Sequence, residues 1–223
     1  MTEQGPSGFA VWTVLRRDPL TASAARPGPE WLADAVAAVE ADGVTVRGVY
    51  DVSAMRADAD LMLWLHGDTA EGLQAAVRRL RRSSELASLA VTWSAMGVHR
   101  SAEFNKAHVP GFLRGERPRA WLTVYPFVRS YDWYVLPEDE RRAMLAEHGR
   151  KGAAFRSVIA NTVSAFALND YEWLLPMESD ELTDLVDMMR DLRATRARLH
   201  VREEVPFYTG RRIELNEVAE VLA

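Results

Sequence analysis

The residues of this chain best placed to do chemistry are Tyr125, Arg129 and His148. Tyr125, Phe127 and Arg129 alternate along WLTVYPFVR, and in a strand such residues share one face. A phenol that can be oxidised and a guanidinium that can hold a carboxylate then line one surface. His148 comes late in a helix opened by Pro137 and the acids Glu138, Asp139 and Glu140, a first turn suited to the helix dipole. Met144, Leu145 and His148 fall at i, i+1 and i+4, which puts the imidazole along the apolar side. Taken singly, each has an ordinary structural reading: His148 as a helix-end histidine, Tyr125 as a half-buried barrel tyrosine, Arg129 as an ion-pair partner. Together they point to a cofactor cleft without naming the cofactor.

Composition removes many alternatives. The chain has 223 residues and no cysteine, so disulfides, thiolate metal sites, iron–sulfur clusters and covalent haem attachment are excluded. The five histidines, His66, His99, His108, His148 and His200, include no i,i+4 zinc pair and no accompanying carboxylate cluster. A single axial histidine beneath an apolar cleft is, in contrast, a common way to hold haem iron. No Gly-x-Ser-x-Gly elbow, phosphate loop or dinucleotide fingerprint occurs. The net charge of −5 argues against a nucleic-acid partner, and the run Arg78-Arg79-Leu80-Arg81-Arg82 reads as a solvated helix end. The start MTEQGPSG lacks the basic and apolar parts of a secretory signal, and no apolar run is long enough for a transmembrane segment. A cytoplasmic protein is expected.

Elements to position these side chains follow from periodicity. Phe9 to Leu15 reads as a strand, Pro29 to Gly43 as a helix, and Val44 to Val52 and Asp60 to His66 as strands. Thr69 caps a second helix with Leu73, Ala76, Val77 and Leu80 inward, and Leu89 to Val98 is a strand. After a polar, Gly- and Pro-containing stretch the pattern returns. Ala120 to Arg129 is a strand, and Pro137 to Gly149 a helix with a second helical piece to about Asn161. Val163 to Leu168 and Tyr171 to Met177 form a hairpin. Ser179 caps a helix with Leu182, Leu185, Val186, Met189 and Leu192 buried, and Val205 to Ile213 is a closing strand. Each half reads β-α-β-β-α-β, so the expected fold is α+β, two ferredoxin-like repeats forming a dimeric α+β barrel. The units are residues 9–100 and 119–223, with a connector at 101–118.

Several segments carry a resemblance. They are Asn-Lys-Ala-His-Val-Pro (105–110), Tyr-Pro-Phe-Val-Arg-Ser-Tyr-Asp-Trp-Tyr (125–134), Glu-His-Gly (147–149), Asn-Asp-Tyr-Glu-Trp (169–173) and His-Val-Arg-Glu-Glu-Val-Pro-Phe-Tyr-Thr-Gly (200–210). In these the chain resembles the chlorite dismutase superfamily, and within it the actinobacterial coproheme decarboxylases. The resemblance spans most of the second half; the first half matches mainly in its pattern of elements. It implies two ferredoxin-like units per chain, a homopentamer, and a porphyrin in the C-terminal unit. It implies peroxide-dependent conversion of two propionates of iron-coproporphyrin (coproheme) to vinyls, giving haem b.

Carried over, the resemblance makes His148 the proximal iron ligand, Tyr125 the residue oxidised to a radical, and His108 the distal base acting on hydrogen peroxide. Arg129 becomes a propionate clamp, Trp133 a nearby redox or packing residue, and Arg202 a further propionate contact. Chlorite-splitting members use an arginine in the segment after the proximal histidine. Ser157 to Met189 contains no arginine, which disfavours chlorite turnover. A dye-decolorising type peroxidase would share the fold, but its Gly-x-x-Asp-Gly signature is missing. A haem carrier or sensor that keeps His148 without catalysis is the remaining alternative, against which Tyr125 and His108 weigh.

Overall fold

The computed structural model describes residues 8–18, 20, 30–100 and 109–223. Pro29 and His108 lie outside the described residues. The chain divides into two compact units, Met1–Val98 with Thr209–Ala223, and His99–Tyr208.

The first unit contains β1 (Phe9–Arg17), α1 (Leu32–Ala41), β2 (Thr45–Asp51), β3 (Leu61–Gly67), α2 (Ala70–Leu80) and β4 (Leu89–Val98). β3 pairs with β1 and β2, and β1 with β4, all antiparallel, which gives the ferredoxin-like order β4-β1-β3-β2. Alternation decides the core. Val11 and Leu15 of β1 and Leu61, Leu63 and Leu65 of β3 pack with Leu32, Ala35 and Val39 of α1 and Leu73, Ala76 and Leu80 of α2. The opposite sheet face is also buried, where Trp12 pairs with Trp64 at 5.3 Å between ring centroids. Thr69 caps α2 as expected, its Oγ1 accepting from the Gly72 backbone N at 3.1 Å. Gly43, at φ +85°, turns the chain out of α1 in a conformation that favours glycine.

The closing segment Thr209–Ala223, assigned from the sequence to the second half, groups with the first unit. Strand β10 (Tyr208–Ile213) pairs with β2 through Arg211↔Asp51, Arg212↔Tyr50 and Ile213↔Val49. Gly210 permits this approach, since a Cβ there would meet the Asp51 carbonyl oxygen at 2.8 Å.

The second unit contains β5 (Trp121–Arg129), α3 (Glu138–Gly152), β6 (Ile159–Ala160), β7 (Val163–Ser164), β8 (Trp173–Ser179), α4 (Leu182–Leu192) and β9 (Val201–Glu203). β8 pairs with β5, β6 and β7, and β9 with β5, so the same strand order recurs. Several expectations need correction. No second helical piece follows α3: the chain turns after Gly152 and is extended by Ile159. Buried Asn161 anchors it there, with Oδ1 accepting from the Phe112 backbone N at 3.0 Å and Nδ2 donating to Glu178 at 3.1 Å. Ser179 ends β8 instead of capping α4, and its Oγ accepts from the Glu181 backbone N at 3.2 Å. On α4 Val186 is exposed and Met188 is buried. The expected last strand, Val205 to Ile213, begins only at Tyr208, past Pro206, which has no N–H for a ladder, and a separate strand, β9, precedes it.

One half-buried histidine of the first unit, His66, sets a pH dependence. Burial, reinforced by the Arg47 guanidinium and opposed by Asp68, pushes the His66 imidazole down to about 4. The unfolded chain therefore binds the proton first, and stability falls as pH drops below the ordinary value of about 6.5. Chemical denaturation at pH 7 and pH 5 should show wild type losing roughly 2 kcal/mol more than His66→Gln. Equal losses in the two proteins would remove His66 as the cause.

Candidate functional site in the second unit

β5 delivers Tyr125, Phe127 and Arg129 to one cleft, as alternation requires. α3 contributes Leu145 and His148 to the same cleft, and the segment after α4 contributes Thr195, Ala197 and Arg198. The cleft has an empty volume of about 730 Å³, counting space open to solvent. Trp173, Leu175, Met189 and Leu192 supply much of its apolar wall.

His148 is largely buried. Burial lowers its basicity, the Arg129 guanidinium lowers it further, and Glu147 opposes both. The imidazole is therefore neutral near pH 7, the form whose lone pair can bind a metal. Two contacts seat it. Glu147 Oε2 accepts from the Arg196 backbone N at 3.2 Å, and Lys151 Nζ donates to Asp191 Oδ1 at 2.9 Å. The first ties α3 to the segment carrying Thr195, and the second ties it to the last turn of α4.

Tyr125 is only 4% exposed. Its ring stacks on Phe207 at 4.3 Å between centroids, and its hydroxyl donates to Met189 Sδ at 3.5 Å. Burial pushes the phenol well above its ordinary value; Glu204 adds to this, while Arg193 and Arg198 oppose it. Tyr125 thus keeps its proton at neutral pH, and any oxidation must move that proton with the electron.

Arg129 is 7% exposed. Its guanidinium lies 4.0 Å from the Trp133 ring centroid and 4.7 Å from that of Phe127. Trp133 is fully buried and does not line the cleft; it supports Arg129 by this stacking. Two other quoted segments, 169–173 and 200–210, meet here. The Arg129 backbone N donates to Glu172 at 2.9 Å, the Tyr134 hydroxyl donates to the same carboxylate at 2.8 Å, and the Ser130 backbone N donates to the His200 carbonyl at 3.1 Å. The structure does not bring Arg202 to the cleft: its exposed guanidinium stacks over Tyr131 at 4.2 Å.

Three charged residues of the cleft were missed from the sequence. Arg193 and Arg198 both pair with Glu204, the latter at 2.7 Å. The signal was present, because Arg190, Arg193, Arg196 and Arg198 crowd one short segment. Arg129, Arg193 and Arg198 against Glu204 leave the cleft two positive charges in excess when His148 is neutral. Apolar walls with this excess suit a flat apolar ligand edged with carboxylates. Among the described residues no group of three or more His, Asp or Glu side chains could hold a bare metal ion. His148 fits instead as a single protein ligand to an iron carried by a porphyrin.

The chlorite dismutase family model matches residues 29–213. The chain belongs to the chlorite dismutase family. A coproheme decarboxylase of Mycolicibacterium smegmatis is 54% identical over 180 residues, covering 80% of this chain and 78% of that protein. Chlorite dismutase from Candidatus Nitrospira defluvii, solved with imidazole, superposes with a TM-score of 0.76 at 20% identity, covering 98% of this chain and 95% of that one. An arginine-to-alanine variant of the same enzyme gives 0.77, with the same identity and coverage. At that identity the likeness is one of fold, in agreement with the mixed α+β architecture of each unit.

The burial of Tyr125 has a direct optical consequence. In alkaline titration, Tyr125→Phe should lose none of the wild-type phenolate absorbance that appears below about pH 11. A difference spectrum with a midpoint near the ordinary tyrosine value of about 10 would contradict the shielded phenol.

Proposed function

We propose that the protein decarboxylates coproheme, with hydrogen peroxide as oxidant and haem b as product. The observation that carries this reading is the cleft itself: a neutral imidazole and a neutral buried tyrosine share a cationic, apolar pocket. The identity of 54% to a coproheme decarboxylase supports it independently. Each propionic acid and one peroxide would give a vinyl, one carbon dioxide and two waters. With peroxide, the iron porphyrin supplies the oxidising power; the protein supplies position and proton flow.

In this reading His148 holds the iron through its neutral ring. Tyr125 gives up an electron and its proton together, and the resulting tyrosyl radical takes hydrogen from the β-carbon of a propionate. Arg129, with Arg193 and Arg198, orients carboxylates before chemistry. His108 acts as the distal base that accepts the first proton of peroxide. The family resemblance also implies a homopentamer, and the composition of the chain suits a cytoplasmic one.

Coproheme titration and peroxide-driven haem b formation separate the roles. Tyr125→Phe should bind coproheme as wild type does and form no haem b; haem b from that variant would defeat the radical role. His148→Ala should weaken binding and move the porphyrin absorption, and an unchanged spectrum would exclude it as the ligand. His108→Ala should slow the peroxide step by roughly 100-fold or more with little loss of binding. The reverse pattern would give His108 a structural role.

A further inference from the structure

The sequence segment after α4 holds a residue whose hydroxyl is fully committed. Thr195 is 5% exposed, and its Oγ1 donates to the Leu192 carbonyl at 2.9 Å. A carbonyl oxygen only accepts, so the hydroxyl hydrogen is spent on Leu192. The same Oγ1 lies 3.4 Å from His148 Nδ1 and can only accept there, through a remaining lone pair. The proton of this contact must therefore sit on Nδ1. An imidazole protonated at Nδ1 and neutral overall carries its lone pair on Nε2.

We infer that Thr195 is a positioning residue: it fixes His148 as the Nδ1–H tautomer and leaves Nε2 as the nitrogen that ligates the porphyrin iron. The consequence for iron rests on the coproheme reading; the tautomer does not. The geometry around Thr195 is held from two sides. Its hydroxyl is anchored to the end of α4, and the backbone N of the next residue, Arg196, is bound by Glu147, the neighbour of His148. The acceptor cannot drift from the ring while both hold. A hydroxyl acceptor is uncharged, so it orients the ring without drawing the proton away, as a carboxylate partner would do more strongly. A hydrogen-bonded partner of this kind sets both ring orientation and ligand basicity. Thr195 thus acts on the iron only through the ring of His148.

The test begins on ligand-free protein, by nitrogen-15 NMR of the histidine rings, with His148 assigned by the signal lost in His148→Gln. Wild type and Thr195→Ser should show a protonated Nδ1 and an unprotonated Nε2. Thr195→Val, which keeps the shape and removes the acceptor, should lose that pattern. A wild-type Nε2–H tautomer, or an unchanged pattern in Thr195→Val, would overturn the assignment. In the ferrous coproheme complex the iron–histidine stretch should shift down in Thr195→Val and return in Thr195→Ser, with affinity falling by about 10-fold in the valine variant. An unchanged stretch in the valine variant would also overturn it. If coproheme did not bind, the decarboxylase reading would fall while the NMR pattern still decided the role of Thr195.

Discussion

The site depends on keeping one imidazole neutral inside a cleft whose charged groups are mostly cationic. A protonated His148 would face the Arg129 guanidinium in a poorly hydrated wall, which is unfavourable, so the ring gives up its proton and gains a lone pair. Burial is the larger cause of that neutrality and Arg129 the second, and the same guanidinium, with Arg193 and Arg198, prepares the cleft for carboxylates. Arg129 thus contributes both to keeping the imidazole neutral and to the charge that suits carboxylates. The helix that presents the ring also fastens it, since Lys151 reaches the end of α4 and Glu147 the segment beyond it.

Glu204 tempers that charge. It holds Arg193 and Arg198 together at the cleft wall and lies near Tyr125, where its carboxylate helps keep the phenol protonated. The tyrosine is shielded further by the Phe207 ring and the Met189 sulfur, which leave its hydroxyl a weak local acceptor. A phenol in such surroundings loses a proton only together with an electron. That constraint suits a residue asked to relay hydrogen-atom chemistry, and disfavours one asked to act as an ordinary base.

The sequence made visible what periodicity encodes. Tyr125, Phe127 and Arg129 reach one cleft because a strand has a period of two, and His148 follows Met144 and Leu145 because a helix brings i and i+4 together. Arg193, Thr195, Arg198 and Glu204 escaped because they lie outside regular elements, between the end of α4 and the residue after β9, a stretch that includes the short 3₁₀ turn Arg196–His200, where no repeating pattern assigns a face. The end of α3 escaped for another reason: buried Asn161 and Glu178 hold the following chain extended, a non-local effect that local propensity does not contain. β10 went to the first unit for the same reason, since its partner strand β2 lies far away in sequence. The resemblance named residues that periodicity could not weigh, and the geometry separates them: Arg129 faces the cleft, Trp133 supports it, and Arg202 lies elsewhere.

The central claim is the conversion of bound coproheme, and mass spectrometry of the porphyrin extracted during a stepwise peroxide titration tests it most directly. The account predicts two successive losses, each of one carbon dioxide and two hydrogens, with a monovinyl species that rises and then falls before haem b accumulates. Binding followed only by bleaching, with all four carboxylates of the surviving porphyrin intact, would contradict it and leave a carrier or sensor of haem as the better description of the cleft.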